Sequence, residues 1–358
     1  MEEVSESAFP LLSLPEHLLA LVVSQVQGGK NGLRNTCRSL RLAVNDCTSA
    51  LAWTRPRSLD GEPVLHVHLP AGACPCIKLL DCCGQRDACL EFSFASCPPF
   101  LHTLLCSFTR VQLLGPLAVR CIMLQTLDCS NTEVSELGPL SACTMLQTLN
   151  CGSTRVFELG PLSACTMLQT LNCEGTGVSE LDPLCACTML QNLNCSGTKV
   201  SELGPLSACT MLQALNCERC RRVSELGPLS ACTMLQTLNC SDTGVSELGP
   251  LSACTMLQTL SCSKCSLLFN LGPLSACTML QTLDCGGTQV SELDPLSACT
   301  MLQTLDCRWT KVSELGPLSA CTMLQTLRCS CSPLHLQSLQ AQGLQAACPN
   351  LRINRISV

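Results

Sequence analysis

With 358 residues, a formal net charge of −6 and 13% charged residues, the chain is neither a disordered polyampholyte nor a basic nucleic-acid binder. It holds no Tyr and only 3% aromatic residues, so stacking platforms for single-stranded nucleic acid are missing as well. No apolar run reaches the ~18 residues of a membrane span, and the acidic start Met1-Glu2-Glu3 lacks the basic flank of a signal peptide. A soluble, monomeric protein of a reducing compartment is expected, cytoplasmic, with nucleus and cytoskeleton left open.

Residues 1–13 form an acidic tail, and the pattern turns helical at Leu14. Pro15 suits a first helical turn, and Leu18, Leu19, Val22, Val23 and Val26 share one face. Gly28, Gly29 and Gly32 break the pattern. A second helix is predicted over Leu33–Val44, with Leu33, Cys37, Leu40 and Val44 on one side. The run Leu14-Pro15-Glu16-His17-Leu18-Leu19, followed by Leu33-Arg34-Asn35-Thr36-Cys37-Arg38-Ser39-Leu40, resembles an F-box. Leu40 stands where that family carries an aromatic residue, and the Gly-rich link between the halves is short. The resemblance implies that Leu14, Pro15, Leu18, Leu19, Val22 and Leu33 contact the adaptor subunit of a ubiquitin ligase. The other reading of residues 14–51 is a small helical N-terminal cap, because a stacked-repeat protein needs a polar-faced cover on its first coil.

Residues 52–120 read as degenerate repeats. Leu65–Leu69 alternates as a strand does, and Ile77–Cys82 and Leu101–Cys106 fit the phrase that dominates residues 121–332. Cys74, Cys76, Cys82, Cys83, Cys89, Cys97 and Cys106 crowd this stretch, but no Cys-x-x-Cys pair recurs at zinc spacing, so no metal is expected.

Residues 121–332 repeat one phrase, complete as LGPLSACTMLQTLNC at Leu137–Cys151 and Leu159–Cys173. From Met123 to Met323 its Met recurs at steps of 22 residues, with steps of 23 after Met211 and Met256. A fixed period in this range marks stacked coils. The 34 Cys are mostly periodic, ten of them two residues before the Met and ten six residues after it, so they read as small buried hydrophobes. The skeleton Leu-x-x-Leu-x-Cys-x-x-Thr-x-Val-x-x-Leu-x-Pro-Leu-x-x-Cys resembles the leucine-rich repeat. Its length and Pro-Leu turn are similar to the internalin type. The two 23-residue repeats, with Cys220 and Cys265 in place of Thr, resemble the cysteine-containing subtype. The resemblance implies an α/β solenoid, with a curved parallel sheet on the concave face and short turns or 3-10 pieces on the convex face. About thirteen coils at ~4.8 Å would span on the order of 60 Å. Thr132, Thr154, Thr176, Thr198, Thr243, Thr288 and Thr310 replace the family's Asn ladder and predict a thinner polar ladder. Residues 333–358 read as a longer C-terminal capping repeat, helical over Leu336–Ala347 and ending in a strand.

The inward letters barely change between repeats, while the two positions after the strand Cys and the one after Thr vary. They carry either specificity or changes the structure tolerates. Two clusters stand out on the expected concave face: Arg219, Arg221 and Arg222 with Lys199, and Arg308, Trp309, Lys311 and Arg328. Trp and Arg are the types most enriched at interface hot spots, so these residues are the candidate protein-binding set. The Met column reads as loop packing or as a sticky edge, and the column from Glu136 to Glu314 as a solvated acidic stripe or a cation-attracting one. The five His lie outside the array, with no nucleophile signature or glycine-rich phosphate loop, so no catalytic residue and no cofactor are expected. The function expected is a protein-interaction module. It is either a ligase substrate receptor holding its target on the concave face, or a scaffold or recognition protein with no ligase link.

Overall fold

The computed structural model describes residues 41–44, 77–81, 100–115, 121–329 and 338–354. They fall into two compact units, Met1–Leu168 and Gln169–Val358. Leu14, Pro15, Leu18, Leu19, Val22 and Leu33, the strand expected at Leu65–Leu69 and the Cys of the 74–97 cluster lie outside the described residues.

The first unit carries strands β1 (Arg41–Val44), β2 (Ile77–Asp81), β3 (Thr103–Leu105), β4 (Thr126–Asp128) and β5 (Thr148–Asn150). β2 to β5 pair in parallel, each with the next in sequence. β1 corrects the sequence reading, which placed these four residues at the end of a helix. It pairs antiparallel with β2, Arg41 opposite Asp81 and Val44 opposite Ile77, with a bulge between Ala43 and Val44. The edge of β2 offers a row of unpaired backbone groups, and pairing with it outweighs the local helical spacing.

One coil shows why the letters stand where they do. Along β5, Thr148 and Asn150 face outward while Leu149 is fully buried. Leu146, Cys151, Val156, Leu162 and Cys165 are fully buried as well, and Leu159 nearly so. After Val156 the chain turns through a 3-10 segment, Gly160–Ala164. Pro161 fixes the backbone at its start and has no N–H to leave unpaired. The Ser163 hydroxyl donates to the Gly160 carbonyl at 2.8 Å. Leu162 N–H donates to Leu159 O and Cys165 N–H to Leu162 O, so the tight turn closes on its own backbone.

The second unit repeats this coil. Its strands are β6 (Thr170–Asn172), β7 (Asn192–Asn194), β8 (Ala214–Asn216), β9 (Thr237–Asn239), β10 (Thr259–Ser261), β11 (Thr282–Asp284), β12 (Thr304–Asp306), β13 (Thr326–Arg328) and β14 (Arg352–Asn354). All are parallel and in register, with Leu171, Leu193, Leu215, Leu238, Leu260, Leu283, Leu305 and Leu327 forming one buried file, and Ile353 of the last strand pairs in register with Leu327. Each fully buried Leu contributes about 1.5–3 kcal/mol of transfer free energy. A single coil cannot bury that face alone, so stacking is the source of stability.

The Cys columns do more than fill space. Both are fully buried, and the thiol at each turn reaches back one coil: Cys209 Sγ lies 3.5 Å from Leu184 O, and Cys254 Sγ 3.4 Å from Leu229 O. The Thr column is buried too, but each hydroxyl closes its own coil, as Thr198 Oγ1 does on Cys195 O at 2.7 Å. In the 23-residue coils the thiol takes that seat and turns the bond outward. Cys220 Sγ lies 3.1 Å from Cys195 O, and Cys265 Sγ 3.1 Å from Cys240 O, each in the preceding coil. The array ends in helix α1 (Ser338–Ala347) and β14, where Cys348 Sγ donates to Cys321 O at 3.3 Å and Arg352 N–H to Gln325 O at 2.7 Å.

Candidate partner-binding ridge

In the second unit the outward residue at the end of most strands is Asn or Asp. Its Oδ1 accepts the N–H two residues on: Asn194 from Ser196, Asn239 from Ser241, Asp284 from Gly286, Asp306 from Arg308, all at 3.0–3.1 Å. This local side-chain turn tucks the first variable position inward. Ser196 and Ser241 are buried there, so this column is less open than its variability implied.

The second variable position follows with the opposite geometry. Gly175, Gly197, Arg219, Asp242, Lys264, Gly287 and Trp309 all have positive φ, between 54° and 60° for the non-glycine residues. From Gly175 to Gly287 their N–H groups extend the ladder past the strand, as Arg219 N–H does to Ser241 O at 2.9 Å and Lys264 N–H to Gly286 O at 2.7 Å. Glycine enters this left-handed region freely and Asn and Asp tolerate it, but other side chains cost roughly 1–2 kcal/mol there. Three of the seven positions therefore hold a long or bulky side chain on a backbone suited to glycine. These side chains stand exposed in a row, Trp309 at 55%.

The candidate set maps onto this ridge. Arg219, Arg221 and Arg222 are exposed at and after β8, with Arg219 Nε 3.5 Å from Glu218 and Arg221 Nη2 3.2 Å from Asp242. Arg308 is not a free arm. Its Nε and Nη2 grip the carboxylate of Asp306, which is only 4% exposed, at 2.6–3.0 Å. The guanidinium carbon lies 5.0 Å from the Trp309 ring centroid. The hydrogen bonds that Arg308 donates to the Asp306 carboxylate raise its pKa further above the ordinary value. Arg328 approaches the same carboxylate at 3.7 Å, and Lys311 is exposed beyond Trp309. The structure thus joins Arg308, Trp309 and Arg328 around one buried acid, and places the Arg219 group some four coils away on the same ridge. Lys264, absent from the candidate set, stands between them. The signal that would have found it was its column, where Gly, Asn and Asp recur.

Charge is sorted across this unit. All eight Lys and Arg between Gln169 and Cys329 fall at a strand tip or in the turn directly after it, against five carboxylates there. Eight further carboxylates, among them Glu180, Glu202, Glu225, Glu247, Glu292 and Glu314, stand exposed beyond the buried Val or Leu of the coil. The Met column is half-exposed, Met189 at 39% and Met323 at 46%. In the first unit the equivalent ridge carries a recess of about 330 Å³, lined by Phe108, Asn131 and Ser153, all at positive φ, with Arg110 and Glu133. Among the described residues no group of three His, Cys, Asp or Glu could hold a metal ion, and no helix is long and apolar enough to cross a membrane.

The in-register parallel strands, the 3-10 turns and the repeated Leu file decide the architecture. The fold is that of leucine-rich-repeat proteins. No protein-family model and no curated protein sequence matches the chain. Among solved structures, the leucine-rich-repeat protein LIC12759 of Leptospira interrogans superposes with a TM-score of 0.72 at 15% identity, over 81% of this chain and 75% of its own. The internalin InlF of Listeria monocytogenes gives 0.69 at 20% identity, over 78% and 82%. The functional domain of InlJ from the same organism, described as including a cysteine ladder, gives 0.60 at 25% identity over 72% of this chain and half of that one. The likeness establishes the leucine-rich-repeat fold. It does not extend to the F-box reading of the N-terminal segment.

Proposed function

We propose that the chain is a leucine-rich-repeat recognition module whose post-strand ridge in the second unit holds a protein partner. One observation carries this reading. Trp309 occupies a left-handed backbone position at a cost that Gly287, in the preceding coil, avoids, and it is held by an Arg308 that a buried Asp306 fixes. Strain retained at a surface site is a mark of use, and an aromatic anchor with its rotamer already restricted loses less entropy on binding. Neutral drift is a poor account of such a residue, because this backbone disfavours large side chains. The remaining candidates, Arg219, Arg221, Arg222, Lys311 and Arg328, supply charge around the anchor.

Peptides selected from a random display library on the full-length chain test the proposal. They should bind Trp309→Ala at least tenfold more weakly, with the thermal midpoint unchanged or raised. Selected peptides that bind Trp309→Ala and Arg222→Glu as tightly as the parent overturn the ridge as the binding face.

The ligase-adaptor reading stands on the sequence motif of residues 14–40 alone. Retention of a cullin-type complex by the full chain and its loss on deleting residues 1–50 would support it, and absence from both would exclude it. A monomer in a reducing compartment remains the expectation, supported by the two Cys columns being seated in the core as packing residues. Sedimentation gives the first, and the in-cell oxidation state of Cys185, the one exposed thiol among the described residues, gives the second.

A further inference from the structure

Between β10 and β12 the ridge drops to bare backbone. The coil of β11 carries Gly286 and Gly287 where its neighbours carry Ser263 and Lys264 on one side and Arg308 and Trp309 on the other. A Cβ added to Gly287 would lie 3.6 Å from Cα and Cγ of Lys264, so the Lys264 stem walls one side of the step. A Cβ on Gly286 would lie 3.2 Å from Asp284 Oδ1 and 3.3 Å from the Arg308 carbonyl, so the Asp284 carboxylate and the backbone leading into Trp309 bound the other. The indole is 55% exposed, and among the described residues Lys264, Lys311, Arg222 and Lys199 have no ion-pair partner. The step therefore has the Trp309 indole at one end, an uncompensated ammonium at the other, and a floor of glycine backbone beside the Asp284 carboxylate, whose Oδ1 accepts the Gly286 N–H at 3.0 Å.

We propose that this step seats an extended acidic peptide segment, with an apolar side chain on the Trp309 indole and a carboxylate on the Lys264 ammonium. The proposal rests on the ridge reading above and adds the chemical class of the occupant. Lys264 and Trp309 are two coils apart, about 9–10 Å at the spacing of parallel strands. A polyproline-type chain rises ~3.1 Å per residue and returns to the same edge every third residue, about 9.3 Å on. An apolar residue and an acid three positions apart thus fall on the two ends of the step. Arg219 stands two coils beyond Lys264, where the next third residue of the same chain arrives, and is exposed despite its contact with Glu218. The four unpaired cations on the ridge favour an acidic occupant over a basic one.

The test uses the full-length chain and a fluorescein-labelled peptide in which one Leu is flanked on each side by two Glu-Pro-Ala triplets. Controls carry Lys or Ser in place of Glu, and a fifteen-nucleotide oligo-dT reports general polyanion binding. The Glu peptide should bind at least tenfold tighter than either control peptide, and the oligonucleotide should not compete. Lys264→Glu and Gly287→Asp should each weaken it at least tenfold. Gly287→Asp keeps a backbone that Asp242 already adopts and its Cβ meets no atom closer than 3.6 Å, so its melting temperature should fall only slightly, and a cooperative melt near the parent's guards against a folding artefact. Equal binding of the three peptides, binding of none, competition by oligo-dT, or indifference to both substitutions overturns the proposal. If only the Ser or Lys peptide binds, and Trp309→Ala removes it, the acidic class falls while the ridge stands. If peptides selected from the display library also ignore Trp309, both fall.

Discussion

Trp309, Lys264 and Arg219 share a backbone conformation that disfavours their side chains, and this gives single substitutions there an unusual signature. Lys264→Asn should raise stability by about 0.5–1 kcal/mol, since Asn tolerates positive φ, while it weakens the acidic peptide. A urea midpoint shifted upward at unchanged m-value checks the first part. Asp306→Asn is a second informative change. Six coils carry Asn at the equivalent position, so the turn acceptor survives, but the charge holding Arg308 is lost. With Trp53 replaced by Phe to leave one reporter, the fluorescence anisotropy of Trp309 should fall, and an unchanged anisotropy would show that Asp306 does not position the indole. Thiols give a third test at this scale. Burial pushes Cys165, Cys209, Cys254, Cys277 and Cys321 up to about 11, and Cys129, Cys232, Cys299 and Cys307 up to about 12, from an ordinary value of 9.0. Between pH 9 and 11 the unfolded chain holds fewer protons than the folded one, so stability falls as pH rises through that window. Base-induced unfolding should begin there, followed by circular dichroism. At neutral pH an alkylating reagent should modify, among the described cysteines, Cys185 alone, as peptide mapping would show.

At the scale of the coil, the energetics follow from the inward files. Leu215→Ala removes a side chain only 1% exposed and should cost about 2–5 kcal/mol. Cys195→Leu overpacks a fully buried seat and should cost about 1–3 kcal/mol. Thermal melts rank both, and a Cys195→Leu variant that melts at or above the parent would disprove the packing account. These files were legible in the sequence because a strand of period two and a repeat of fixed length leave each buried letter no other place. The left-handed column was only half legible. Gly175, Gly197, Gly287, Asn131 and Asp242 announce it, but Trp309, Lys264 and Arg219 conceal it, since nothing in such residues signals positive φ. The clasp of Arg308 on Asp306 was legible in principle, two residues apart on one face, yet the sequence reading takes Arg308 only with Trp309, as a partner-binding residue. Arg41–Val44 was misread because an edge strand distant in sequence supplies its partner, and local periodicity carries no trace of that.

Across the second unit as a whole, the segregation of charge sets the response to salt. The exposed Glu stripe stacks like charges at about 5 Å intervals, while most ridge acids have a cation within reach. Added salt screens the stripe more than it weakens the short, partly buried pair at Asp306. The thermal midpoint should therefore rise between roughly 20 and 300 mM sodium chloride, over the range where the Debye length falls below about 10 Å, whereas affinity for the acidic peptide should drop. A midpoint that falls with salt would show that the ridge pairs outweigh the stripe.

The sameness of the coil interiors has one further outcome, and it concerns assembly of the chain. A strand that docks one coil out of place meets the same Leu file, the same thiols and the same turn as in its proper seat. Nothing in the buried letters penalises a slip of 22 residues except the coil left over at the end. Refolding from denaturant should therefore pass through a family of compact, frame-shifted species that exchange slowly, and whole coils should be removable or insertable in frame with little local damage. The two places that resist such slippage are the longer coils, where Cys220 and Cys265 reach back to a carbonyl that a Thr would leave alone. They serve the folding chain as index marks.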